Sequence, residues 1–115
     1  MYSSRFTSDA IEDIRALPKN ARNRLKREFQ KKIHQNPIVC SEPLIGPLAA
    51  FRSFHFLNYR VIYRVYEDLK VIAVVGIGKK DKAHFAEIYD RLEQLAKSGK
   101  LADEFLRAIR LLESP

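Results

Sequence analysis

The side chains best equipped for chemistry cluster in the second half of the chain, around a stretch that reads as an extended strand. In Tyr59-Arg60-Val61-Ile62-Tyr63-Arg64-Val65, successive residues point to opposite faces. Val61, Tyr63 and Val65 suit a core beneath helices, which leaves Arg60, Ile62 and Arg64 on an open face. A two-residue turn at Leu57-Asn58 sets Phe56 opposite Tyr59, His55 opposite Arg60 and Phe54 opposite Val61, with opposed Cβ atoms about 5 Å apart. The same pairing puts Phe51 beside Arg64, and Arg52 on the core side beside Tyr63 unless a bulge re-aims it. Treating Glu67-Asp68 as a second tight break sets Val75 opposite Arg60 and brings Ile77 and Lys79 to the end of that face. The result is a basic patch of His55, Arg60, Arg64 and Lys79, with Lys80 and Lys82 close by. Fixed cations beside an imidazole that titrates near neutral pH can hold a polyanion and move a proton.

The same residues also fit a plainer reading, in which the strand arginines are solvated or paired with carboxylates and His55 is a partly exposed side chain. His84, near the start of a later helix, fits a structural or solvent-facing role. A run in the second helix, Arg22, Arg24, Lys26, Arg27, Lys31 and Lys32, reads as a solvated face with a secondary capacity for phosphate. Of Phe51, Phe54 and Phe56, which could stack on bases, Phe54 and Phe56 fit the core better. No phosphate-cradling Gly-rich loop, HExxH pair or nucleophile elbow occurs. Cys40 is the sole cysteine, which excludes an internal disulfide and a zinc site built on several thiolates. No metal and no cofactor is expected.

The elements that must position these groups follow from periodicity. Residues 2–6 read as an edge strand and 8–17 as a helix, with Ser8 as N-cap and Pro18 as stop. Asn20 can cap a second helix in which Ala21, Leu25, Phe29 and Ile33 recur every four residues. The two form a helical hairpin. Residues 37–50, with Pro37, Pro43, Pro47 and Gly46, read as a long ordered loop. The runs 51–56, 59–66 and 70–77 form an antiparallel meander. A third helix covers 83–97, Ser98-Gly99 closes it, and a fourth helix runs from about 102 to 113. The order β-α-α-β-β-β-α-α predicts an α+β fold: a helical hairpin packed on one side of a twisted antiparallel sheet, followed by C-terminal helices.

The chain has 115 residues, 46% of them hydrophobic, which fits a single domain over 1–115. Lysine and arginine total 21 against 14 acidic residues, a net charge of +7, and the sequence pI is near 9.7. That balance points to an anionic partner, nucleic acid or an acidic protein. The first residues lack the apolar stretch of a secretory signal, and no window reaches the length of a membrane span. With one cysteine, the expectation is a soluble cytoplasmic protein without membrane partners.

Several motifs occur in an order that resembles the RelE/ParE superfamily of bacterial type II toxins. They are Pro43-Leu44-Ile45-Gly46-Pro47-Leu48, Phe51-Arg52-Ser53-Phe54, Asn58-Tyr59-Arg60-Val61-Ile62-Tyr63-Arg64-Val65 and Val75-Gly76-Ile77-Gly78-Lys79-Lys80. The upstream hairpin, with Ala10 and Leu17-Pro18, is similar too, so the resemblance spans roughly residues 2–92. It implies one of two activities: cleavage of mRNA on the ribosome, which stops translation, or poisoning of DNA gyrase without nuclease residues. A non-toxic corepressor is a third outcome. It also implies a cognate antitoxin as partner, with operator DNA reached only through that antitoxin. By position, Arg60 matches the arginine that contacts the scissile phosphate, Lys80 a transition-state stabiliser, and Arg52 a basic residue at the start of the preceding strand. Under the nuclease reading, Arg60, Lys80 and His55 are the catalytic candidates. Arg52, Arg64, Lys79 and Lys82 are RNA-binding candidates, and Tyr89 and His84 are further ones. The chain departs from the pattern where many such nucleases carry a tyrosine: it has Phe85-Ala86, with Tyr89 a turn later, and 99–115 forms a C-terminal extension.

Overall fold

The computed structural model describes residues 1–97. Its strands are β1 (Ser3–Phe6), β2 (Glu42–Pro43), β3 (Phe51–Phe56), β4 (Tyr59–Tyr66) and β5 (Val71–Lys79), and its helices are α1 (Ser8–Arg15), α2 (Lys19–Glu28) and α3 (Lys82–Lys97). A π-turn over Phe29–Ile33 extends α2, and a 3-10 turn over Gly46–Leu48 precedes β3. The fold is α+β, as expected. The expected fourth helix, the Ser98-Gly99 cap and the 99–115 extension lie outside the described residues.

Two helix starts differ from expectation. Thr7, not Ser8, caps α1, its hydroxyl accepting from the Ala10 N–H at 3.2 Å. The α2 helix begins at Lys19 behind Pro18 with no side-chain cap, so Asn20 lies inside it and accepts only from its neighbour Ala21. Pro18 has a fixed φ suited to a helix entry, which lets the chain turn without a capping oxygen.

The sheet order is β1-β5-β4-β3-β2. It is mixed rather than wholly antiparallel, because β1 runs parallel to β5 through the pairs Ser3–Val71 to Phe6–Val74. Parallel partners need a crossover, and here most of the chain, including α1 and α2, lies between them. The loop 37–50 is ordered as expected, and it contributes β2 as a short edge strand on Arg52 and Ser53.

The β3–β4 register matches the expectation pair for pair, from Phe56–Tyr59 through His55–Arg60 to Phe51–Arg64. The β4–β5 register does not. The connection holds four residues, 67–70, and a bulge at Ile62/Tyr63 then leaves Val75 unpaired, so Arg60 faces Gly78 instead of Val75. Two extra turn residues preserve the face of every side chain, whereas a one-residue bulge reverses it for all that follow.

Helices cover both faces of the sheet, not one. On one side, Ala10, Leu17, Ala21, Leu25, Phe29 and Ile33 from α1, the turn after it, α2 and the π-turn bury Phe54, Phe56, Val61 and Tyr63. On the other, Ile88 and Leu92 of α3 join Leu48 over Phe51, Ile62, Ala73 and Val75. Ile62 is thus wholly buried between its two arginine neighbours. Beyond Val74 the edge of β5 has no strand partner, and helices close it instead. Asp13 Oδ2 accepts from the Ile77 N–H at 3.0 Å, and Arg91 of α3 donates to the Val75 carbonyl at 3.2 Å. Arg91 also meets Asp13 at 3.5 Å and Asp9 at 3.7 Å, tying α3 to α1 across the strand.

Candidate functional site

At the β3–β4 turn end of the α3 face, His55 is exposed and Arg60 half-buried. There His55 and Arg60 stand directly opposite each other. The turn between them is held by Leu57 in the left-handed region at φ 49°. Asn58 contributes its carbonyl, which accepts from the Lys80 N–H at 2.7 Å. That bond pins the end of β5 to the hairpin and places Lys80 beside the His55–Arg60 pair. Partial burial, reinforced by the Arg60 and Lys80 charges, pushes the His55 imidazole below its ordinary value, with Glu42 pulling the other way. A histidine so placed is neutral at physiological pH and free to accept a proton.

The remaining candidates divide. Lys79 pairs with Tyr59, so it leaves the Arg60 face for the α1 side, where it lines an open groove of about 400 Å³ with Asp13, Pro18 and Tyr59. The bulge is the cause. Arg64 shares the Arg60 face but lies four residues along β4, about 13 Å at the usual strand rise. Buried Ile62 and its Leu48 and Ile88 cover interrupt the path between them, and the Arg64 guanidinium rests 5.0 Å from the Tyr66 ring centre. The continuous patch joining His55, Arg60, Arg64 and Lys79 is therefore not formed.

Arg52 falls on the core side beside Tyr63, as the register required, and its guanidinium is engaged in holding the preceding loop. It donates to Ser41 Oγ at 2.7 Å, the Ser41 carbonyl at 2.9 Å and the Ile38 carbonyl at 3.0 Å. Tyr89, in α3, donates to the Ile45 carbonyl at 2.7 Å and fastens the same loop from the other side. The side chains of Lys82 and His84 lie outside the described residues. Among the described residues, His, Cys, Asp and Glu nowhere gather in a group of three that could hold a metal ion, and no helix is long and apolar enough to cross a membrane.

Sequence reasoning missed the Asp13–Arg91 closure of β5 and the Asn58 carbonyl that seats Lys80. Asp9 and Asp13 one turn apart on α1 were a readable signal for a cation, but not for which one.

The sequence profile described as "ParE toxin of type II toxin-antitoxin system, parDE" matches residues 5–84. This chain belongs to the ParE toxin family. It is a type II toxin of the RelE/ParE superfamily, and the matched span runs from within β1 through β5 and includes His55, Arg60 and Lys80. The toxin is 26% identical over 83 residues to a RelE-like toxin protein of Escherichia coli, covering 71% of this chain and 86% of that one. Among solved structures it is similar to a chain of the RelBE2 toxin–antitoxin complex from Mycobacterium tuberculosis, with TM-score 0.65 and 23% identity over 68% of this toxin and 96% of that chain. The isolated E. coli RelE toxin superposes with TM-score 0.59 and 22% identity, covering 80% of this toxin and 99% of that chain. Likeness at such identities speaks to the shared α+β fold.

Proposed function

We propose that this toxin is a ribosome-dependent mRNA endonuclease of the cytoplasm, restrained by a cognate antitoxin. The observation that carries the reading is the convergence of His55, Arg60 and Lys80 at the open end of the hairpin. RNA supplies its own nucleophile, so the protein needs only to position, to neutralise and to move a proton. Arg60 and Lys80 hold the non-bridging oxygens of the scissile phosphate. Neutral His55 takes the proton of the ribose 2′-OH as its oxygen forms a bond to phosphorus. The bond from phosphorus to the 5′-oxygen breaks, that oxygen takes up a proton from water, His55 returns its own to the solvent, and a 2′,3′-cyclic phosphate remains. The negative charge that builds on phosphorus in the transition state is met by the two cations, which needs no metal ion. The antitoxin partner is supported by the matched family's description and by solved relatives in toxin–antitoxin complexes.

A second reading, inhibition of DNA gyrase without nuclease action, is favoured by the description of the matched family as the toxin of parDE. One experiment separates the two. The toxin is induced in growing bacteria while translation, transcript ends, DNA supercoiling and double-strand breaks are followed. The nuclease reading expects rapid loss of translation with new transcript ends inside coding regions, both abolished by Arg60→Ala. Intact transcripts with broken chromosomes would overturn it in favour of the gyrase reading.

A further inference from the structure

The catalytic reading leaves unused the largest concentration of charge in the molecule. Between Lys19 and Lys32 the chain carries seven lysines and arginines and a single acid, Glu28. Glu28 is buried and engaged, with Arg24 at 3.0 Å and Lys32 at 3.1 Å. Lys19, Arg22, Lys26, Arg27 and Lys31 are exposed, and among the described residues they pair with no carboxylate. Within α2, Arg22 and Lys26 stand one turn apart, a like-charge spacing that destabilises a helix by a few tenths of a kcal/mol. Lys19 adds a cation to the N-terminal turn, where the helix dipole disfavours it. Lys26 and Arg27 suit the C-terminal turn of the helix, but five exposed cations without a carboxylate leave this face ready for an anionic partner.

We infer that the outer face of α2 and the turn after it is a docking surface for the phosphate backbone of double-helical RNA. Three features select that partner. The cations span about 18 Å from Lys19 to Lys31 at the helical rise and wrap the exposed half of the helix, a rigid array that can follow a phosphate backbone. It presents no aromatic ring, since Phe29 is buried, so it can hold phosphates but cannot stack on the bases of a single strand. Asn23 and Gln30, both exposed among the cations, supply amides for ribose 2′-hydroxyls, the groups by which RNA helices differ from DNA. The sheet lies between α2 and the His55–Arg60–Lys80 cluster, so the two surfaces look in opposite directions and engage different RNA segments.

The inference rests on the nuclease reading for the choice of RNA, yet it is tested without cleavage. Full-length toxin carrying Arg60→Ala is titrated into a fluorescent RNA hairpin with a stem of about 16 base pairs, across a salt series. Adding Lys19→Ala, Arg22→Ala, Lys26→Ala and Arg27→Ala together is expected to weaken binding at least about tenfold and to flatten the slope of log K against log salt by about 3. All four positions are exposed, and circular dichroism confirms the fold of the variant. The inference is overturned if the hairpin binds the variant as well as the parent. It fails equally if single-stranded poly(U), duplex DNA of the same sequence or polyglutamate binds the parent as tightly as the hairpin. If the hairpin requires α2 while the active toxin leaves transcripts uncut in cells, the docking surface stands and the nuclease reading alone falls.

Discussion

Asp13 makes a sharp test of how the β5 edge is held, because one oxygen performs two tasks. Its Oδ2 accepts from the Ile77 N–H at 3.0 Å and meets Arg91 at 3.5 Å. Asp13→Ala strands a buried strand N–H that had a charged acceptor, worth about 1.5–3 kcal/mol, and removes an ion pair worth about 0.5 kcal/mol at this exposure. The expected loss is about 2–3 kcal/mol. At about 2 cal/mol/K of unfolding entropy per residue, that lowers Tm by about 10 °C. Asp13→Asn behaves differently. Burial raises the Asp13 pKa above 3.8 against the pull of Ile77 and Arg91, so the folded state favours the uncharged group, and an amide oxygen still accepts from Ile77. By linkage, the burial penalty is present above the raised folded value and vanishes as the pH falls below the unfolded one. The asparagine variant should therefore lie within about 0.5 kcal/mol of the parent at pH 7, where stranded groups are absent. Urea unfolding of the parent and both variants, with amide exchange at Ile77, checks this. Equal losses for Ala and Asn, or a loss below about 0.5 kcal/mol for Ala, would refute the reasoning.

Two further predictions follow from local geometry. At Glu28, desolvation is outweighed by hydrogen bonds from Lys32 and Arg24, so the carboxyl sits below its ordinary 4.5; its stabilisation is present above that value and lost as the pH falls through the folded one. Glu28→Gln should destabilise by about 1 kcal/mol at pH 7 and approach parity with the parent near pH 3, read as urea midpoints at the two pH values. At the β3–β4 turn, exposed Leu57 holds φ 49° without a glycine. Leu57→Gly should raise stability by about 0.5–1 kcal/mol, measured as Tm, because relief of the left-handed strain exceeds the entropy of the added glycine.

The sequence carried the β3–β4 hairpin pair by pair because a two-residue turn leaves one register open, and the alternation of Val61, Tyr63 and Val65 fixes which face is buried. It did not carry β5. Lys70 takes a left-handed conformation at φ 54° and closes a four-residue connection that no dipeptide signal marked. The bulge at Val75 is a tertiary event. Gly76 lets Arg91 and Ile88 approach so closely that a Cβ there would lie 2.9 and 3.1 Å from them, and that approach depends on a helix that comes later in the chain. The second core was half legible. Ile62 between two arginines was an apolar residue on a face read as open, and the Ile88 and Leu92 stripe of α3 is what covers it. Helical periodicity shows that a helix has a buried side, not which side of the sheet it will choose.

The bulge also decides which of the two adjacent lysines can act with Arg60. Had β5 continued in the register set by its turn, Ile77 and Lys79 would have shared the Arg60 face and Lys80 would have pointed away. The single unpaired residue exchanges them. Ile77 goes into the α1–α2 core, Gly78 comes opposite Arg60, and Lys80 rather than Lys79 is carried to the cluster. The Asn58 carbonyl then holds the Lys80 backbone at 2.7 Å, and the Asp13–Arg91 closure holds the strand just before it. The cluster is thus the consequence of one irregularity in an otherwise regular ladder, fixed from both sides.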